Sequence, residues 1–393
     1  MRRHPILSIL FLTLAVSLAV GCSKTPREPS GFMDTPGHHF NMGLKLLDRD
    51  LPDRAEREFD LALELDGEYP PALAGKALAA AVKGEEDNAL DLLDDALDEA
   101  DDLDEDEAEP VTRAWPAALG LAVWTELYMQ EEVDRDVFLD EVEDLHEEAL
   151  DIHPDSAAAR YFAAEAYVAA LDFDRAESLF AEVLELDRAY VDKARNRWEQ
   201  IQAVRRLAPA SPIGRKIALV ERVTRSEMAA LLTEELQVAE FYEATPAPGD
   251  KAGFEPPRAK YYESGPYDVE DHPLGESINE VIEYGVKGLE PYPDGSFRPD
   301  EPLTRAEAAM IYEDILVRAT GDWGLSTKFI GRPGPFRDLG NDHAAFNAAM
   351  LATTRGIMSA DARTGRFKPG GEISGVEALR ALEKLKNELR LFR

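Results

Sequence analysis

The sequence predicts an all-α fold in two parts: a solenoid of helical hairpins, then a second helical domain assembled from three related modules. Three observations carry this. In the first half, small and large apolar residues recur every 34 residues: Gly43 maps to Ala77, Ala55 to Ala89, Phe59 to Leu93 and Ala62 to Ala96. In the second half a longer repeat runs over 70 residues, from Asp268 to Asp338, Phe297 to Phe367, Pro299 to Pro369 and Thr304 to Ser374. The third observation is a helix start that occurs three times. Thr304 and Glu307 have capping-box spacing, in which hydroxyl and carboxylate each satisfy the other residue's amide. Thr224 with Glu227, and Ser374 with Glu377, repeat it.

The N-terminus reads as a targeting segment, residues 1–21. Arg2 and Arg3 precede an apolar stretch from Ile6 to Val20. Fifteen residues rise only about 22 Å as a helix, short of the roughly 30 Å bilayer core, so a cleaved signal fits better than a permanent span. Cys22 is the only cysteine, which excludes an intramolecular disulfide. Leu18-Ala19-Val20-Gly21-Cys22 resembles a bacterial lipobox. That resemblance implies cleavage before Cys22 and acylation of its thiol, which anchors the chain to a membrane without a spanning helix. Ser23, standing where Asp often retains such proteins at the inner membrane, favours an outer membrane facing the periplasm. Residues 22–36, rich in Pro, Ser, Thr and Gly, are expected to be a flexible tether.

The solenoid is expected over 37–190, with units at 36–69, 70–103, a divergent 113–156, and 157–190. Leu61-Ala62-Leu63-Glu64-Leu65-Asp66 ends one helix and Gly67 fits the break. Ala149 to Pro154 supplies the same ending in the divergent unit, whose first helix near Trp115 to Met129 is displaced by inserted residues. Tyr167, Ala176 and Phe180 fall at the expected offsets in the last unit. These positions resemble the tetratricopeptide repeat. The resemblance implies stacked hairpins, none able to bury its apolar face alone, with a concave groove for a peptide segment of a partner envelope protein. Candidate groove residues on first helices are Asn41, Lys45, Lys76, Arg160 and Tyr167. Each can equally be a solvated face residue. The acidic run Asp98 to Glu109 lacks the glycine and the distal bidentate Glu of a calcium loop, and reads as a solvated inter-repeat loop.

Charge is unevenly placed within a net of -35. Residues 41–110 carry 24 acidic and 6 basic side chains, 111–208 carry 22 and 10, and 209–393 carry 30 and 23. So acidic a front half excludes nucleic acid as a partner. The acidity fits a saline habitat, where it is screened, or a simple solubility role.

Residues 191–240 are expected to hold a helix with Trp198, Ile201, Val204 and Leu207 at helical spacing, then a partial first module. That helix can cap the repeat stack and also serve as the module's first helix. A loop at 241–266, a second module at 267–320 and a third at 336–390 follow. Arg305 stands at the first helical position, an odd place for a cation because a helix N-terminus is already partly positive. A cation beside free amides makes sense if an anion docks there. Thr224-Arg225-Ser226-Glu227, Thr304-Arg305-Ala306-Glu307 and the surrounding repeat resemble the S-layer homology family. The resemblance implies a helical three-module domain that binds cell-wall polysaccharide or peptidoglycan, with the motif arginine contacting acidic groups. The implied polymer-binding residues are Arg305, Arg225, Thr304, Asp268 and Tyr292. Against this, Asp268 and Asp338 can cap turns, and both arginines can pair with carboxylates. Ser374-Gly375-Val376-Glu377 keeps the cap without the arginine, so the third module reads as degenerate. Pro273 and Ala344 stand where the family often has Trp.

No nucleophile elbow, phosphate loop or paired-His helix motif is present, and His38-His39 reads as incidental rather than a metal site. The chain is therefore expected to be a non-enzyme with no metal and no cofactor beyond the lipid on Cys22. The expected function is an envelope lipoprotein that links membrane to wall and scaffolds partners. The alternative is an assembly or secretion adaptor whose back half is only structural.

Overall fold

The computed structural model describes residues 26–104, 108–244 and 265–390. Cys22 and most of the expected loop at 241–266 lie outside them. Among the described residues there are sixteen α-helices, no strand, and no helix long and apolar enough to cross a membrane. The chain divides into two compact units, 1–166 and 167–393.

The first unit holds three hairpins: α1 (Pro36–Leu47) with α2 (Pro52–Leu65), α3 (Pro70–Val82) with α4 (Glu86–Asp101), and α5 (Pro110–Met129) with α6 (Arg135–Ile152). It also holds most of α7 (Ala157–Ala169). Prolines open α1, α2, α3 and α5, where their missing N–H has no helical partner to lose. The 34-residue pattern of small residues has a direct packing cause. A Cβ on Gly43 would lie 2.3 Å from the Phe59 ring, and one on Gly75 would lie 2.5 Å from it. The fully buried ring thus sits between backbones of α1 and α3. Two boundaries move. Helix α4 continues to Asp101, so the acidic run begins as helix, and α5 starts at Pro110, inside the insertion.

The expected tether is folded back where it is described. Asp34 accepts from both guanidinium nitrogens of Arg27 (2.6 and 2.8 Å), from the Ser30 amide and hydroxyl, and from His39 Nε2 at 3.0 Å. His39 Nδ1 meets Glu58 at 2.8 Å, and the Arg27 amide donates to Glu64 O at 2.6 Å. His39 is therefore part of a clip, not an incidental tether residue. Burial acts to lower its pKa, but Glu58 and Asp34 outweigh burial and raise it. A raised pKa stabilises the folded form fully below the unfolded value, near 6.5, and this is lost as pH rises through the folded value. Amide exchange at Arg27 is expected to quicken as pH rises past neutrality, beyond the intrinsic base-catalysed rate. His39→Ala should abolish that excess; an unchanged excess in the variant refutes the clip.

The second unit holds α8 (Phe173–Leu186), α9 (Val191–Leu207), α10 (Pro212–Ile217), α11 (Arg225–Ala230), α12 (Ala239–Ala244), α13 (Gly275–Tyr284), α14 (Arg305–Thr320), α15 (Phe346–Thr354) and α16 (Gly375–Arg390). A π turn at Leu231–Glu235 extends α11, and a 3₁₀ turn at Trp323–Thr327 follows α14. The helices pair in a cycle: α11 packs on α13, α14 on α15, and α16 on α9. Each module's second helix therefore packs on the next module's first, and α9 fills the first-module place in that cycle. It also packs on α8, with ion pairs from Arg205 to Asp174 and Glu177.

Candidate functional site

The cycle closes at a hydrogen-bonded triangle of backbones. Val223 N donates to Ile373 O (2.8 Å), Ile373 N to Leu303 O (3.3 Å), and Leu303 N to Val223 O (2.8 Å). All three residues are fully buried, and each directly precedes a cap residue, so they mark a pseudo-threefold axis. Around it, the N-termini of α11 and α14 each face the turn of the next module. Arg225 N donates to Glu301 O and Ser226 N to Pro299 O; Arg305 N donates to Gly371 O and Ala306 N to Pro369 O. Both capping boxes are present, with Thr304 N 2.8 Å and Thr304 Oγ1 2.7 Å from the Glu307 carboxylate.

This corrects the picture of open, anion-ready helix ends. The first-turn amides are already taken by neighbouring carbonyls, and the arginines point inward. Arg225, 3% exposed, donates from Nε to Phe297 O (2.8 Å), from Nη1 to Gly288 O (3.1 Å) and from Nη2 to Glu290 O (3.0 Å). Its guanidinium also lies 4.7 Å from the Phe297 ring centre, within cation–π range. Arg305, 8% exposed, repeats this one module on: Nε to Phe367 O (2.8 Å), Nη2 to Ser359 O (2.7 Å), and Nη1 paired with Glu377. Burial lowers its pKa, yet an arginine stays charged. Both side chains brace one module against the next.

Asp268 is likewise architectural. Its carboxylate accepts from Phe297 N and Arg298 N, both at 2.8 Å, holding Arg298 in the left-handed region at φ 57°. Asp338 does the same for Phe367 N and Lys368 N, with Lys368 at φ 58°. Tyr292 is the one aromatic residue among the polymer candidates. It is half-buried, with guanidinium groups of Arg298 at 4.1 Å and Arg225 at 4.9 Å from its ring centre, and its hydroxyl donates to Glu301 at 3.2 Å. Arg225, Tyr292 and Asp268 therefore converge on the first junction, whereas Arg305 and Thr304 belong to the second.

The third junction differs for a steric reason that the sequence does not announce. Ile217 precedes Thr224 by seven residues, as Phe297 precedes Thr304 and Phe367 precedes Ser374. Helix α10 thus stands where the other modules carry a turn. A Cβ on Gly375 would lie 1.7 Å from Ile217 O. No arginine fits there. The cap survives in part: Ser374 Oγ accepts from Glu377 N at 3.3 Å, while the Glu377 carboxylate is drawn to Arg305.

The partner-groove candidates scatter. Asn41 and Lys45 share one exposed face of α1, with Asn41 donating to Gly37 O at 2.6 Å. Lys76 on α3 pairs with Asp60 at 2.8 Å, and Arg160 donates to Ser156 O at 3.2 Å. Tyr167 is corrected to a core residue. It is 5% exposed, its hydroxyl accepts from Arg175, and the Arg175 guanidinium covers its ring.

Comparison with known families matches the tetratricopeptide repeat at residues 139–197 and the S-layer homology domain at 267–309 and 335–379. Both are non-catalytic families. Helices α6 to α9 fall within or across the first match, and α13 to α16 within or across the second. The chain is also similar to Cell surface glycoprotein 1 of Acetivibrio thermocellus, 36% identical over 104 residues. That similarity covers 25% of this chain and 4% of the relative.

Proposed function

We propose that this chain is a non-enzymatic lipoprotein of the cell envelope. Its S-layer homology ring holds a wall polymer, and its tetratricopeptide repeats gather protein partners. The observation that carries the wall half is the closed three-module ring, which leaves a half-buried aromatic edge at its first junction. Tyr292 and Arg298 form that edge, while Arg225, Arg305, Thr304 and Asp268 hold the ring in shape behind it. A flat phenol ring suits stacking against a sugar face, with the Arg298 guanidinium already paired to Asp294 and Glu301 beside it. The family match and the surface location named for the glycoprotein relative support this reading. The sequence around Cys22 supports a lipid anchor, and Ser23 an outer membrane facing the periplasm.

Purified mature protein is expected to co-sediment with isolated wall sacculi. Tyr292→Ala should lower the retained fraction several-fold with an unchanged melting temperature. Wild-type protein that stays in the supernatant at low ionic strength overturns wall binding. It would leave the adaptor reading, in which the ring is structural and only the repeats engage partners.

A further inference from the structure

The third module carries an excess of cations in an otherwise acidic chain. Residues 327–370 hold seven Lys or Arg and three Asp, whereas the whole chain has a net charge of -35. Four of the seven gather at one turn. Arg363, Arg366 and Lys368 lie on it, and Arg337 runs alongside, its amide donating to Gly365 O at 3.0 Å. The turn is closed by Asp361 N to Arg366 O (2.9 Å) and Gly365 N to Asp361 O (2.8 Å). All four cations are exposed, and none makes an ion pair among the described residues. The two nearby acids are held by backbone amides, and each also faces one of these cations, Asp338 toward Arg366 and Asp361 toward Lys368. Asp338 accepts from Phe367 N and Lys368 N, and Asp361 from Arg363 N and Thr364 N.

The turn does not need these charges. Seventy residues earlier, Tyr267, Pro293, Ser296 and Arg298 hold the corresponding positions, and the second module closes the same turn with its Asp268 clamp. Its single cation there, Arg298, is paired with Asp294 at 3.1 Å and Glu301 at 3.8 Å. Four cations against two carboxylates leave an excess of like charge on one turn, and an anionic ligand relieves that repulsion. The groups are open to solvent and spread along a surface, with no enclosing pocket. A single small anion would gain little from such an arrangement; a chain bearing regularly spaced charges can engage several cations at once.

We propose that the turn formed by Arg337, Arg363, Arg366 and Lys368 is a binding site for a polyanionic glycopolymer bearing phosphate or carboxylate groups. The third module thereby lacks the buried brace at Gly375 and carries a surface site of its own. The choice of a wall glycopolymer rests on the wall-binding reading above; the choice of a polyanion does not.

The test uses the full mature chain and end-labelled inorganic polyphosphate, followed by fluorescence anisotropy. The four-fold variant Arg337→Gln, Arg363→Gln, Arg366→Gln, Lys368→Gln is expected to bind at least tenfold more weakly than wild type. Wild-type affinity should fall with salt with a log–log slope of about -2 to -3, as four charge contacts imply, and the variant slope should be flatter. A control variant removes the same charge elsewhere: Arg195→Gln, Arg206→Gln, Lys216→Gln and Arg222→Gln. Equal weakening in the control, or no polyphosphate binding by wild type, overturns the site. Tighter binding to phosphatidylglycerol vesicles than to polyphosphate also overturns it, in favour of a lipid surface. Sacculus retention separates the two readings. Retention unaffected by the four-fold variant removes the site and leaves wall binding standing. Polyphosphate binding without sacculus retention leaves the site and removes the wall.

Discussion

Replacing Arg225 by alanine is expected to destabilise the second unit by about 3 kcal/mol, because a charged donor is lost and its buried acceptors are left unpaired. The acceptors are the carbonyls of Phe297, Gly288 and Glu290, all in the module that the arginine does not belong to. For a unit of this size, such a loss corresponds to a melting shift of roughly 6–12 °C. Arg225→Lys should recover less than half of it. An ammonium is a compact point charge and cannot serve three divergent carbonyls from one planar fork, nor stack as well over Phe297. Thermal denaturation of the mature chain reads both variants. A melting temperature within a degree of wild type for Arg225→Ala refutes the brace. A consequence follows for polymer binding. An Arg225→Ala, Arg305→Ala double variant loses its ring before its binding can be judged, so retention must be probed at Tyr292 or at the exposed cations.

How far the sequence reaches is clearest at the helix starts. The capping boxes at Thr224 and Thr304 are local events, four residues long, and both form as the residue pattern requires. Their arginines are a different matter. A cation at a helix N-terminus reads locally as an anion site, because nothing nearby in sequence uses the free amides. The groups that use them, such as Pro299 O for Ser226 N and Pro369 O for Ala306 N, come from the following module. Sequence periodicity places the modules in a row; it does not say that the row closes into a ring. The 34-residue pattern was legible for the opposite reason. Gly43 and Phe59 lie in consecutive helices, and their contact is the direct cause of the pattern. Tyr167 matched its repeat offset for the same packing reason, and burial is what that offset measures, not access to a partner.

Gly375→Ala is the sharper test of the closed ring, with an expected loss of about 3 kcal/mol from overpacking. The added methyl would meet Ile217 O at 1.7 Å, Ile217 C at 2.8 Å and Ala218 C at 3.0 Å. All three are backbone atoms, so no rotamer change relieves the contact. Alanine's better helix propensity offsets well under half of this, about 1 kcal/mol at most. For the same reason Ile217→Ala should not rescue the variant, since it leaves the backbone in place. The structure can respond only by moving α10 away from α16, which also strains Gly375 N to Val220 O and the axial bond from Val223 N to Ile373 O. Native-state amide exchange should therefore accelerate at Val223 and Gly375 more than at Ile373 or Leu303, whose bonds do not run directly across the third junction. Gly375→Arg, which restores the family motif, should be worse than alanine, because the larger side chain meets the same backbone without a turn to brace. If Gly375→Ala proves as stable as wild type, α10 does not press on α16. The third junction would then have room for the arginine it lacks, and the charged turn at Arg363 to Lys368 would have to be explained without the steric exclusion of that brace.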